Sequence, residues 1–401
     1  MSVDYKRNES GAVSLFLVIF SALFITTVAV SFVRIMILNQ AQATTSDLSK
    51  SALDSANAGV EDAKRAIVIY RNHCVGEGDA VGTSECNELL AALNSQKCDT
   101  IQKAGIAGSP DDKEVMVKQS EGDTVLNQAY TCVKVQLDTD DFVGELSENT
   151  SHVVPLKSDI PFDTVTLEWF SQSDFQEDSS KPKSDKGISI DVGNDVSGGL
   201  PKLANWPLNK PALMRVQLIQ YGNEFNLSSF NNNDGQDSNN SSVFLYPIGV
   251  ETATIDMGLS RRDKSSDLLQ PAGCVKTFTS ISADRQYACK AVLKIPKPIG
   301  VTNLEDRHAY LRVTPMYNQK TSFRVSMQSE TNSQVHFSAV QPAIDSTGRA
   351  NDLFRRVRSR VELDGSSIPA AESAVDISGS LCKTFLITDN PDDYVAGTCS
   401  Y

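Results

Sequence analysis

Eight cysteines have the plainest chemistry in this chain: Cys74, Cys86, Cys98, Cys132, Cys274, Cys289, Cys382 and Cys399. An even number of thiols, all placed after an apolar N-terminal stretch, is the usage of disulfides made in an oxidising compartment. Their clustering pairs Cys274 with Cys289 and Cys382 with Cys399, and leaves two bridges among the first four. Zinc is the competing use of such thiols, but no Cys-x-x-Cys occurs and His73 merely adjoins Cys74, so no metal site is expected.

Other reactive patterns are weak. The chain has no Gly-x-Ser-x-Gly, Gly-x-x-x-x-Gly-Lys, His-Glu-x-x-His or Gly-x-Gly-x-x-Gly. A lone Ser-x-x-Lys at Ser180 and Lys183 lacks its Ser-Asp-Asn and Lys-Thr-Gly companions, and His73, His152, His308 and His336 are scattered. Oxygen ligands for calcium crowd the run from Asn231 to Asp237, yet its spacing misses the calcium-loop frame and the trailing Glu, so a solvated turn is the expectation. The reading is of a non-enzyme without cofactors and without catalytic residues.

Charge narrows the partners. A formal net charge of −13 argues against sequence-independent nucleic-acid binding, which needs a basic surface to displace counterions. One basic run departs from this: Arg355, Arg356, Arg358 and Arg360 alternate with Val357, Ser359 and Val361, the pattern of a strand with its arginines in solvent. Trp169, Trp206, Tyr221, Phe225, Phe230, Phe244 and Tyr246 could line a sugar or protein surface, although aromatics at strand spacing favour the core.

The elements that must position these residues begin with a helix. Residues 12–33 are uncharged and predominantly apolar, and as a helix they would span about 33 Å, against a hydrocarbon thickness of ~30 Å. Lys6 and Arg7 before the span favour a cytoplasmic N-terminus. Beyond it, Ala41, Leu48, Ala52, Ala56, Gly59, Val60, Ala63 and Ile67 recur on one helical face, while Asp47, Lys50, Asp54, Asn57, Glu61, Asp62, Lys64 and Arg65 supply the other. One unbroken helix is therefore expected over 12–70, with a transmembrane half and an amphipathic half whose small residues suit close packing. Three fates compete for its start: a secretory signal cut after Ala41-Gln42-Ala43, a plain membrane anchor, or a signal cut after Gly11 that leaves the span on the mature protein.

After residue 70 the pattern turns to strands. A short helix containing Glu88 to Leu93 is expected in 74–104, stapled by Cys86 and Cys98. Alternating or β-branched runs follow at 130–137, 164–170, 213–221, 243–248, 287–295, 309–317, 322–328, 334–340, 354–363 and 384–388. Asp345-Ser346-Thr347-Gly348-Arg349-Ala350 reads as a tight polar turn joining a strand pair. The fold class is thus α+β: a long N-terminal helix packed on a disulfide-stapled, antiparallel β-rich head. The divisions drawn are a leader 1–11, the helix 12–70, a first part of the head 71–170, and a β-rich remainder 171–401 with a C-terminal disulfide loop 382–399.

The chain resembles the type IV pilin superfamily, in particular minor pilins or pseudopilins with a PilX-type N-terminal segment. The resembling residues are Ser10-Gly11-Ala12-Val13-Ser14-Leu15 and the helical run Asp54-Ser55-Ala56-Asn57-Ala58-Gly59-Val60-Glu61-Asp62-Ala63, so the likeness covers about the first seventy residues. It implies cleavage by a prepilin peptidase after Gly11, methylation of Ala12, and burial of Phe16, Phe20, Phe24 and Phe32 in a filament core. Its partners would be other pilin subunits, the pilus assembly machinery, the membrane before assembly, and a surface or host-cell ligand. It also implies that Cys382 and Cys399 close an exposed C-terminal loop. Phe16 departs from the family pattern, which has Glu at the fifth mature position; a subunit without that carboxylate suits a minor or tip position. A membrane-anchored adhesin or sensor that never enters a filament is the alternative.

Overall fold

The computed structural model describes residues 10–75, 78, 80–109, 112–117, 127–147, 150–175, 187–190, 206–207, 209–220, 240–249, 254–257, 269–276, 287–299, 308–317 and 320–363. Three helices come first: α1 (Ser10–Cys74), α2 (Ser84–Leu93) and α3 (Thr100–Lys103). The strands are β1 (Val115–Met116), β2 (Gln128–Gln136), β3 (Asp141–Leu146), β4 (His152–Lys157), β5 (Phe162–Ser171), β6 (Leu213–Gln220), β7 (Asn240–Ile248) and β8 (Thr254–Asp256). They continue with β9 (Leu269–Cys274), β10 (Tyr287–Ile299), β11 (His308–Met316), β12 (Thr321–Gln328), β13 (Gln334–Val335), β14 (Ala343–Ala350) and β15 (Leu353–Arg360). The α+β class expected from the sequence is present, with one long apolar helix and a β-rich head.

α1 extends four residues past the expected end, to Cys74, where a disulfide to Cys86 joins it to the start of α2. The α2 N-terminus is capped by Thr83, whose hydroxyl accepts from the Cys86 amide at 3.3 Å. Cys98 bonds Cys132 of β2. The two cysteines expected to staple the short helix therefore do so through α1 and β2, not through each other. Cys274 pairs with Cys289, which lies opposite it across β9 and β10. Cys382, Cys399 and the run 384–388 lie outside the described residues.

Two sheets divide the strands. The smaller has the order β1-β2-β14-β15 and lies against the second half of α1. The expected helical face is the buried one from Ala52 onward: Ala52, Ala56, Gly59, Val60, Ala63 and Ile67 are all inside, joined by Ser55 and Ala66. With Leu93, Ile101, Tyr130, Val133, Val135, Leu137 and Ile344 they enclose a core between helix and sheet.

The segment 345–350, expected as a turn, is instead the body of β14. Its turn-like composition is a packing adaptation. A Cβ on Gly348 would stand 2.2 Å from the Ala56 amide nitrogen and 2.4 Å from the Ala52 carbonyl oxygen, and one on Gly59 would stand 2.5 Å from Ser346 Oγ. At Gly348 the helix and strand backbones approach so closely that only glycine fits, while Gly59 makes room for the Ser346, Val133 and Tyr130 side chains; Ser346, Gly348 and Ala350 fill the buried side of β14. The reversal itself lies at Asn351 and Asp352, with Asn351 at φ 50°.

The larger sheet, of eleven strands, has the order β13-β12-β5-β10-β9-β7-β6-β11-β4, with β3 also on β12 and β8 also on β10. It is antiparallel except where β8 meets β10 and β7 meets β9. All of it, residues 141–335, is inserted between β2 and β14 of the smaller sheet. It curls so that its ends share one core: the Phe142 ring of β3 lies 5.4 Å from His152 of β4 and 6.1 Å from Phe323 of β12. Trp169 is fully buried and donates its indole N–H to the Ala212 carbonyl at 3.0 Å. The residue-170 division drawn from the sequence falls at the end of β5, in the middle of this sheet, and the expected strand 334–340 is regular only at Gln334 and Val335.

Polar links tie the insertion to the smaller sheet. The buried Gln341 side chain accepts from the Val143 amide at 2.9 Å and donates to the Val143 carbonyl at 2.7 Å, standing in for a strand partner. The Arg360 guanidinium donates to the Asp141 carboxylate at 2.6 Å.

Candidate functional site

The first candidate is the N-terminal half of α1. Every described residue from Leu15 to Leu38 is exposed, with Phe16 at 74%, Phe20 at 69%, Phe24 at 65% and Phe32 at 74%. No soluble fold leaves such a surface to water, because each large apolar side chain withheld from burial forgoes about 1.5–3 kcal/mol. Three hydroxyls within the span bond back to their own helix: Thr26 donates to the Leu23 carbonyl at 2.9 Å, Thr27 to Phe24 at 2.8 Å and Ser31 to Thr27 at 2.8 Å. Hydroxyls bonded back to their own helix are compatible with lipid or with a dry bundle. This is a helix long and apolar enough to cross a membrane, and it associates the chain with one; the disulfides place the head on the extracytoplasmic side.

The second half of α1 is locked to the sheet. Tyr130 of β2 donates its hydroxyl to Asp62 at 2.8 Å, and burial, reinforced by that carboxylate, pushes the phenol pKa well up. Gly11 and Ala12 fall within the first turns of α1, which begins at Ser10.

The chain matches no family model, no curated protein and no solved structure. Its chemistry is therefore read from its own residues.

The second candidate is the face of the smaller sheet turned away from α1. Arg356, Arg358 and Arg360 of β15 point outward as expected and are paired rather than merely solvated, whereas Arg355, opposite Gly348 in the register, lies on the side facing α1. Arg356 grips Asp345 through two nitrogens, Arg358 Nε reaches the same carboxylate at 3.3 Å, and Arg355 donates to Ser49 Oγ on α1 at 2.8 Å. Hydrogen bonding to Arg356 holds the Asp345 carboxyl below its ordinary range. Register sets Lys134 of β2 and Arg358 of β15 on either side of Asp345, and sets Gln136 and Arg360 on either side of Ala343. Ala343 is short, so a cleft of about 350 Å³ opens there, lined by Gln96, Lys134, Gln136, Asp345, Arg358 and Arg360. Sequence reading missed the role of Lys134. The only signal was its alternation with the buried Val133 and Val135, which says outward but not beside what.

The remaining candidates disperse. Trp206 stacks on Tyr317 at 4.7 Å, and Lys210 Nζ sits 4.4 Å from the Trp206 ring and 3.0 Å from the Tyr246 hydroxyl, but Trp206 and Lys210 are both buried. Trp169 is core, while Tyr221, Phe225, Phe230, the 231–237 run, Ser180 and Lys183 lie outside the described residues. His336 Nδ1 contacts Asp140 at 2.6 Å, His152 Nε2 lies 3.5 Å from Glu362, His73 lies in the last turn of α1 and His308 starts β11. Among the described residues no group of three His, Cys, Asp or Glu side chains is arranged to hold a metal ion.

Proposed function

We propose that the chain is a minor, tip-type subunit of a type IV pilus-like filament, stored in the membrane through residues 12–33 and assembled through the same helix. The observation that carries this reading is the single 65-residue α1, apolar and exposed on all sides at one end, and sewn into the head through alanine and glycine at the other. A subunit extracted from lipid into a filament core exchanges one dry environment for another, so its apolar half need never meet water, and a head fixed rigidly to the helix follows it. Other subunits would cover Phe16, Phe20, Phe24 and Phe32. Phe16, in place of a carboxylate, cannot pair with a neighbour's N-terminal amine, which suits a position where no such pairing is required. In this reading the mechanism is assembly, not catalysis, and the inserted module is what the filament presents.

The size of that module, with a core of its own, favours one second reading: a membrane-anchored adhesin or sensor that stays in the membrane. Processing separates the two. Mass spectrometry of protein from sheared surface filaments is expected to find a methylated Ala12 as the mature N-terminus, and Gly11→Leu is expected to abolish both that species and surface display. An intact N-terminus confined to the membrane fraction, with display unchanged in Gly11→Leu, would establish the anchored ectodomain instead.

A further inference from the structure

We propose that the cleft over Ala343 binds an acidic sugar unit, a carboxylate- or sulfate-bearing residue of an extracellular glycan. The inference needs the head to lie outside the cell, and it does not depend on filament assembly.

The charge balance of the cleft points to an anion. Arg356 takes up Asp345, and Asp141 takes up Arg360. Lys134, exposed and directly opposite Asp345, forms no ion pair among the described residues. Arg358 touches Asp345 only through Nε at 3.3 Å and is 74% exposed. An ammonium and the far edge of a guanidinium are thus free to meet an incoming charge on an otherwise acidic protein, where a local basic site also steers an anionic ligand to it.

The remaining lining selects what bears the charge. Gln136 donates its amide N–H to the Asp138 carbonyl at 3.0 Å, which leaves its side-chain oxygen as an acceptor. Gln96 is exposed, and Asp345 keeps acceptor capacity. Hydroxyl groups meet both needs, whereas a bare sulfate would face the Asp345 carboxylate with no hydrogen to donate. An acidic peptide is disfavoured for the opposite reason. Val135 and Ile344, the large apolar residues at the cleft, are buried toward α1, so no hydrophobic anchor of the kind that dominates peptide recognition is presented. A cleft of about 350 Å³ holds a sugar ring with its substituents.

The test uses the full-length chain in nanodiscs of zwitterionic lipid, titrated with sialyllactose, a glucuronate-containing tetrasaccharide and a sulfated disaccharide. Lactose, inorganic sulfate and a polyglutamate peptide serve as comparators. At least one acidic sugar is expected to bind more tightly than every comparator. Lys134→Gln and Arg358→Gln are each expected to weaken it by about tenfold, the loss of one charge-assisted contact. Arg358→Lys should recover part of the affinity. Both residues are exposed, and near-UV circular dichroism with non-reducing disulfide mapping checks that each variant is folded; should one fail to fold, the other stands alone. Equal binding of lactose, equal binding of sulfate, equal or better binding of polyglutamate, or unaltered affinity in folded variants would each overturn the proposal. Because the protein is measured unassembled, failure here leaves the filament reading untouched, and failure of Gly11 processing leaves this one untouched.

Discussion

The module built on α1 and the module inserted into it reach full burial by opposite means. Between α1 and the smaller sheet the contact is made by Ala52, Ala56, Gly59, Ser346 and Gly348, so the backbones themselves come together. Inside the larger sheet the space is filled by Phe142, Phe162, Trp169, Phe323 and Phe337, with β-branched and aliphatic residues around them. The difference follows from geometry. A helix lying along a sheet meets it over a narrow strip, and small residues extend that strip by letting the axis approach. A sheet curling on itself leaves a wide gap that only large side chains close. It also bears on duty: a close-fitted helix transmits its position to the head, whereas a module with a separate core can vary without moving the helix.

If the two cores are energetically separate, each should fail alone. Phe323→Ala empties a fully buried ring position in the insertion and should cost about 3–5 kcal/mol. Hydrogen exchange is expected to rise across β3, β5 and β12 while β2 and β14 keep their protection. Gly348→Ala acts on the other module. The added methyl meets Ala52 and Ala56 backbone atoms that cannot swing aside as a side-chain end can, and overpacking of this kind costs about 2–3 kcal/mol. Here exchange should rise in β14, β15 and the second half of α1. Loss of protection in both modules from either substitution would show one cooperative unit, joined through Gln341 and Arg360, and would dissolve the contrast.

The same contrast explains what the sequence disclosed. The buried face of α1 was legible because Ala52, Ala56, Gly59, Ala63 and Ile67 repeat at helical spacing regardless of what covers them. Strands such as β12 were legible because Thr321, Phe323, Val325 and Met327 alternate with polar residues. β14 was not, since a strand pressed against a helix must be built of Ser, Gly and Ala, the composition of a turn. Likewise β3 and β9, with Gly144, Pro271 and Gly273 in them, hide their pairing. The basic cleft was half legible: the arginine alternation gave the strand and its outward face, but Lys134, Gln136 and Ala343 reach it only through register, a long-range property that no local pattern encodes.

The smallest expected effect tests the seam of the α1 module at a single proton. Tyr130 is almost fully buried, and its hydroxyl donates to Asp62 on α1. Burial and the neighbouring carboxylate both disfavour the phenolate, so the folded pKa is raised above the ordinary value of 10.0. The stability associated with that shift is present in full below pH 10.0 and falls as the pH rises above it, because the unfolded chain then releases a proton that the folded chain retains. Wild-type protein should therefore lose stability above that pH with a slope approaching ~1.4 kcal/mol per unit from this residue. Tyr130→Phe should cost only about 1 kcal/mol at neutral pH, the net worth of one hydrogen bond, and should flatten the alkaline limb. Denaturant melts of both proteins across the alkaline range check the sign. If the limb is as steep in the variant, the helix–sheet seam does not respond to this proton, and the rigid attachment of α1 rests on glycine and alanine packing alone.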